Sequence, residues 1–174
     1  MIESKALQST HRRTIIIGID DTDTLESRGT GHLARQIAAT LAPDYDVLGV
    51  TRHQLLVDPR VPYTAKNSSA AIVLDRDGCS GTNTLISRVK AVMRRHFNPG
   101  SDPGLCVAYR VPLSITTFGR RVQQQVVTQQ EARSLAAAHD VHLIGLGGTR
   151  DGVIGALAAV GLAASGDDGR YVLV

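Results

Sequence analysis

The chain has 174 residues, 43% of them apolar, a size and composition that suit one α/β or α+β domain with a sizeable core. Its formal net charge is only +3, yet the cations gather at Arg12 and Arg13, at Arg88, Lys90, Arg94 and Arg95, and at Arg120 and Arg121, which permits an anionic partner without requiring one. The two cysteines, Cys79 and Cys106, have no metal-ligand spacing, which excludes a zinc finger and a disulfide framework, and 3% aromatics with no tryptophan argue against a stacking platform for single-stranded nucleic acid.

No apolar run approaches the roughly 20 residues that span a bilayer, and residues 1–13 lack the apolar stretch of a secretory signal. They read as a short loose arm, and the expected location is cytoplasmic. Residues 14–19 are a continuous β-branched run ending in an acidic cluster, the pattern of a buried central strand. From Thr30 to Leu41 an amphipathic stretch places Leu33, Ile37, Ala38 and Leu41 on one face, with Pro43 as the stop. Strands are predicted over 46–57 and 69–74, then a helix over 82–97 with Leu85, Val89, Val92 and Met93 as its apolar face and its basic residues mostly off that face. The turn-rich NPGSDPG precedes a strand over 105–109, and residues 112–127 show no clear period. Thr128 is placed to cap a helix over 129–139, with Glu131 at capping-box spacing. A strand over 141–146, the glycine-rich GLGGTRDG, a small-residue helix over 153–164 and a strand over 171–174 complete the chain. The alternation predicts an α/β fold, a layered mixed sheet with flanking helices, as a single domain over 14–174.

Three carboxylates, Asp20, Asp21 and Asp23, follow the first strand directly, where ligands of open α/β sheets tend to sit. Mg²⁺ takes one or two carboxylates with phosphate oxygens and water, so the loop suits a metal-bound nucleotide; equally, aspartates in such a loop serve as local turn and helix caps. The loop containing Gly147, Gly148, Thr149, Arg150 and Gly152 lies between a predicted strand and helix, where small residues let backbone approach a phosphate and Arg150 adds a charged fork. It is neither a Walker A loop nor a dinucleotide fingerprint, and a plain tight turn is the alternative. Lys66 and Asn67 offer an ammonium and an amide to phosphates, or belong to an ordinary solvated loop. His32 and His53 have no paired spacing and read as structural or exposed histidines.

The segment Gly18-Ile19-Asp20-Asp21-Thr22-Asp23, the Gly29-Thr30 before a helix, Asp102-Pro103-Gly104 and the GVIGALAAVG of 152–161 together resemble the pattern of the tRNA-Ile agmatidine synthetases, in order and through nearly the whole chain. The segment 62–70 is also similar to that family. The resemblance implies a kinase-like module that binds ATP and Mg²⁺, with Asp20, Asp21 and Asp23 handling metal and phosphates and Thr30 taking part in phosphoryl transfer. The family continues into a ferredoxin-like domain, an oligonucleotide-binding fold and a zinc ribbon, so the complete tRNA-modifying reaction is not expected of these residues alone. The expectation is an ATP- and Mg²⁺-dependent phosphoryl-transfer module, with RNA delivered by a partner chain as one option for its acceptor; the alternative is a non-catalytic nucleotide-sensing or RNA-associated module.

Overall fold

The computed structural model describes residues 13–22, 28–61, 67–77, 81–96 and 98–173. The elements run β1 (Thr14–Asp20), α1 (Thr30–Leu41), β2 (Val47–Gln54), β3 (Ser68–Asp75), α2 (Thr82–Arg95), β4 (Gly104–Ala108), α3 (Leu113–Gln124), α4 (Gln129–Ala138), β5 (His142–Gly145), α5 (Gly152–Ser165) and β6 (Arg170–Leu173). The expected layered α/β architecture is present, and the stretch without a clear period is helix α3. Thr128 closes a full capping box, its hydroxyl accepting from the Glu131 N–H while the Glu131 carboxylate accepts from the Thr128 N–H.

Six strands lie in the order β5-β4-β1-β3-β2-β6. Every pairing among the described residues is antiparallel. Since β1 opposes β3 and β4, and β5 opposes β4, the strands β1, β2 and β5 share one direction and their carboxyl ends meet at one edge. The amino ends of β3 and β4 lie at that same edge.

Alternation along β1 divides the core. Ile15, Ile17 and Ile19 face Leu33, Ile37 and Leu41 of α1 and Leu85, Val89 and Met93 of α2. Ile16 faces the other way, with Ala71 and Cys106, into the layer built by Ile115 and Phe118 of α3, Ala132 and Ala136 of α4, and Ala156, Leu157 and Val160 of α5. Helix α5 is apolar nearly all round and buried along most of its length, as its composition of Gly, Ala, Val and Leu dictates.

Its small residues let it lie directly on the strands. A Cβ at Gly18 would overlap the backbone carbonyl of Ala156, and a Cβ at Gly155 would overlap the Asp20 carboxylate. Neither neighbour can rotate away in the first case, because it is backbone in the middle of a helix. Gly18→Ala is therefore expected to lower stability by about 3 kcal/mol through overpacking. Gly31→Ala, where nothing lies within 4 Å of the added carbon, should instead be neutral or raise stability by about 0.5 kcal/mol. Urea unfolding midpoints of the two variants check the contrast, and equal effects would contradict the packing account.

Candidate functional site

The last residue of β1 has the parity of Ile16 and Gly18, so Asp20 faces α5 and its carboxylate rests against Gly155. Asp21 takes a left-handed backbone with φ 53°, a conformation that Asp tolerates better than most residues and that turns the chain sharply. Beyond it, buried Thr22 donates its hydroxyl to the Thr30 Oγ1 at 3.2 Å, and its carbonyl accepts from the Asn98 amide at 2.9 Å. The acidic segment is thus split. Asp20 serves the α5 face of the sheet, Thr22 is tied to α1, and Asp23 lies outside the described residues.

Thr30 is the first residue of α1, while Gly29 occupies the cap position without a side-chain cap bond. Thr30 therefore lies one residue inside the helix from the cap position. It is 6% exposed and held by Thr22.

The glycine-rich loop is closed on Asp102. The Thr149 N–H donates to the Asp102 carboxylate at 2.6 Å, and the Gly152 N–H donates to the Asp102 carbonyl at 3.1 Å. The Arg150 N–H reaches the Gly147 carbonyl, the Asp151 N–H the Thr149 hydroxyl, and the Val153 and Ile154 N–H groups the carbonyls of Arg150 and Asp151. Gly148 and Arg150 both have positive φ, at 56° and 67°. These N–H groups are spent in shaping the turn, so an anion beside it would meet the positive end of α5 rather than open donors.

At this edge a cavity of about 350 Å³ opens between the end of β1, the start of α5 and the α3–α4 connection. That volume falls in the usual range for small-molecule sites. Its lining combines apolar Leu55, Leu56, Val61, Val126, Val127 and Ile154 with polar Asp20, Asp21, Asp151, Asn67, Ser68, Gln125, Thr128 and Gln129, beside Gly152. Arg60 also lines it, while its guanidinium pairs with Asp58 at 2.8 Å and draws that carboxyl down to about 2. Gln129, at the start of α4, donates to the Asp151 carboxylate at 2.6 Å and the Thr149 carbonyl at 2.8 Å, joining the amino ends of α4 and α5.

Of the residues expected from sequence, Asp20, Asp21, Asn67 and Gly152 come together in this cavity. Gly147, Gly148, Thr149 and Arg150 form the adjoining loop, Thr30 sits across the β1 edge, and Lys66 lies outside the described residues. The Asn67 amide braces the turn between β2 and β3 by donating to the Leu56 carbonyl at 2.5 Å. Sequence reasoning missed Arg60, Asp151, Ile154 and the 125–129 segment; only the capping box at Thr128 signalled that an ordered turn lay there.

No group of three or more His, Cys, Asp or Glu residues among those described is arranged to hold a metal ion. Mg²⁺ needs fewer protein ligands than that when phosphates supply the rest, and the adjacent carboxylates of Asp20 and Asp21 are a donor set that fits it.

Beside the cavity, His53 is fully buried with both ring nitrogens engaged, Nδ1 with the Asp168 carboxylate at 2.7 Å and Nε2 with the Thr51 hydroxyl at 2.9 Å. The neutral ring with its proton on Nδ1 satisfies both partners, donating to Asp168 and accepting from Thr51. The Gln123 amide holds the other Asp168 oxygen at 2.9 Å and the Gln54 carbonyl at 3.1 Å. This network ties the turn before β6 to β2 and α3.

No protein-family model matches the chain. The fold is that of a TiaS-like α/β domain, as three solved structures show. The TiaS–tRNA(Ile2)–ATP complex aligns with a TM-score of 0.75 at 23% identity, covering 86% of this chain and 36% of that one. A tRNA fluorescent labeling enzyme aligns at 0.74 and 25% identity, covering 85% and 36%. Apo TiaS, a tRNAIle2 agmatidine synthetase, aligns at 0.70 and 22%, covering 85% and 35%. In sequence, the chain is 28% identical over 153 residues to the uncharacterized protein MJ0921 of Methanocaldococcus jannaschii, covering 86% of this chain and 50% of that protein. The chain thus spans half the length of that relative and about a third of the solved structures it matches.

Burial lowers the pKa of His53, and the Asp168 carboxylate offsets this only in part. The unfolded chain, whose histidine titrates near about 6.5, then binds the proton more readily than the folded one. Stability from this group is complete above that pH and is lost as the pH falls below it. Urea midpoints at pH 7.5 and pH 5.5 should show a loss on acidification that His53→Gln reduces; an unchanged pH dependence in that variant would remove His53 as its source.

Proposed function

We propose that this chain is an ATP- and Mg²⁺-dependent phosphoryl-transfer module whose acceptor is carried on RNA or on an RNA-bound partner. The observation that carries the reading is the placement of Asp20 and Asp21 with the amino end of α5 in one cavity of nucleotide size. The apolar lining residues Leu55, Val126, Val127 and Ile154 suit a base. The polar lining suits the phosphates, with Asp20 and Asp21, joined by Asp23, holding the ion and the α5 dipole favouring negative charge beside Gly152. Asn67 lines the same cavity, and Gly147, Gly148, Thr149 and Arg150 set the loop's shape; Lys66 is the candidate ammonium for the phosphates. Mg²⁺ held there would neutralise the charge that hinders attack on a phosphate. Thr30 is the candidate phosphate-accepting hydroxyl. The TiaS complexes with tRNA(Ile2) and ATP, and with AMPCPP and agmatine, support nucleotide and RNA as ligand classes for a domain of this shape.

The second reading, a nucleotide-binding module without turnover, draws support from one observation. Thr30 is buried, bonded to Thr22, and does not line the cavity. For the hydroxyl to accept a phosphate, the Thr22 bond has to break and the edge has to open.

Thermal unfolding with ATP, with and without Mg²⁺, separates these readings when combined with product analysis. The native chain should be stabilised by ATP only when Mg²⁺ is present. Asp20→Asn and Asp21→Asn should each weaken that binding by about tenfold, which is about 1.4 kcal/mol. Thr30→Ala should retain binding and lose release of phosphate or nucleotide product, while Thr30→Ser keeps it. Unaltered affinity and turnover in both aspartate variants would overturn the site; native turnover in Thr30→Ala would overturn the role of that hydroxyl.

A further inference from the structure

The two helices on the sheet face opposite the cavity contain no aspartate or glutamate, and they carry Arg35 on α1 and Arg88, Lys90, Arg94 and Arg95 on α2. Arg28 precedes α1 and His96 follows α2. Arg28, Arg35, Arg94, Arg95 and His96 are exposed. Arg88 pairs with Asp44 at 2.8 Å, but Arg28, Arg35, Arg94 and Arg95 have no ion pair with a described residue. On the opposite face Arg120 pairs with Asp167 and Arg121 with Glu131, while among the described residues Arg133 of α4 bonds only the Gln129 side-chain oxygen and Arg150 stands apart from the cluster. Because the net charge of the whole chain is only +3, this face holds a concentrated excess.

The cluster is compact. His32 is depressed first by desolvation and then by Arg28, Arg35 and His96, so the charges at the start of α1 and the end of α2 act on one another. Arg94 also lines a small cavity of about 60 Å³ with Thr22 and Leu33, which brings the cluster to the edge carrying the Thr22–Thr30 pair.

Helix electrostatics account for only part of this. Arg94 and Arg95 lie in the last turn of α2, where cations are favourable, but Arg28 and His32 lie at the positive end of α1, where they are not. A surface that accepts that repulsion is suited to a polyanion. An acidic protein would need an apolar centre for a specific interface. Among the described residues the exposed large apolar ones are Val57, Leu113, Val126, Tyr171 and Leu173, none of them on α1 or α2. A phosphodiester backbone needs no such centre, and guanidinium groups match its oxygens.

We propose that the outer face of α1 and α2, with Arg28, Arg35, Arg94 and Arg95 at its upper end, is the docking surface for an RNA backbone. This rests on the preceding reading for its RNA partner and gives that partner a place, on the side of the sheet away from the nucleotide cavity. With no exposed large apolar residue on α1 or α2 among the described residues, the surface reads phosphate positions and not base identity, so a structured stem is the matching form of RNA.

Fluorescence anisotropy with a labelled RNA hairpin tests it on the full chain. The pairs Arg94→Glu with Arg95→Glu and Arg28→Glu with Arg35→Glu should each weaken binding at least about tenfold, and should lower the slope of log affinity against log salt by about two. Arg120→Glu with Arg121→Glu, an equal charge change on the other face, should shift affinity less than about twofold. Equal losses in all three pairs, no hairpin binding by the native chain, or poly-glutamate competing as well as RNA would each overturn the proposal, the last in favour of an acidic protein. ATP-induced thermal stabilisation is measured on the same variants. If it is absent throughout while hairpin binding maps to α1 and α2, the nucleotide reading fails and the surface stands; if it persists while all pairs bind RNA alike, the surface fails alone.

Discussion

The close seating of α5 on the sheet is the constraint on which the rest of the structure depends. Backbone meets backbone where Gly18 passes Ala156, and the Asp20 carboxylate fills the space above Gly155. Larger side chains at these positions would lift the helix away from β1. Because the amino end of α5 stands beside the end of β1 only while the helix lies flat, the packing that completes one half of the core also decides where a carboxylate meets a helix dipole. Fold and site are therefore not separable at this point. The loop that leads into α5 serves the same end, since Asp102 holds the Thr149 and Gly152 N–H groups and so fixes where the helix begins.

Antiparallel pairing produces an edge that a parallel sheet would also produce, by another route. In a parallel sheet every strand delivers its carboxyl end to the binding edge. Here β1, β2 and β5 do so, while β3 and β4 begin there, which lets Asn67 and Ser68 join Asp20 and Asp21 in the cavity and lets Asp102 hold the adjoining loop. The cavity gains a floor from strand starts as well as strand ends. Its apolar lining comes from the β2–β3 connection, from Ile154 of α5 and from the α3–α4 connection, the last brought over by the packing of both helices against α5.

Much of this was legible in the chain. The β-branched run of β1, the apolar stripes of α1 and α2 and the capping box of α4 each state a local preference that the fold keeps, so they were readable without tertiary information. Helix α3 was not, because Ile115, Thr116, Thr117 and Gly119 are indifferent helix formers and the element is held by burial of Ile115, Phe118 and Val122 against α5. Strand β5 was expected to be buried and longer; it is a four-residue edge strand, only half covered. Asp20 and Asp21 could be picked out because they follow a strand so clearly marked. Asp151 and the 125–129 segment could not, since nothing local says that three distant pieces of chain will face one cavity. The glycine loop pointed to the right place, but its donors turn inward to Asp102, a contact between residues 47 apart that no local pattern reveals.

The turn at Asp21 separates two environments that the proposed nucleotide and the proposed RNA partner would need kept apart. Asp20 belongs to a cavity with two further aspartates in its lining, an environment that repels a phosphodiester chain but suits a cation-bound nucleotide. Thr22 and Thr30 belong to the other side, where guanidinium groups have no carboxylate among the residues of α1 and α2 to neutralise them. If the helices carried their charges the other way round, the proposed nucleotide and RNA ligands would compete for the same cations. At the left-handed Asp21 the chain passes from Asp20 and Asp21, which line the cavity on one side of the sheet, to Thr22, which bonds Thr30 of α1 on the other, so the sheet itself is the partition between them.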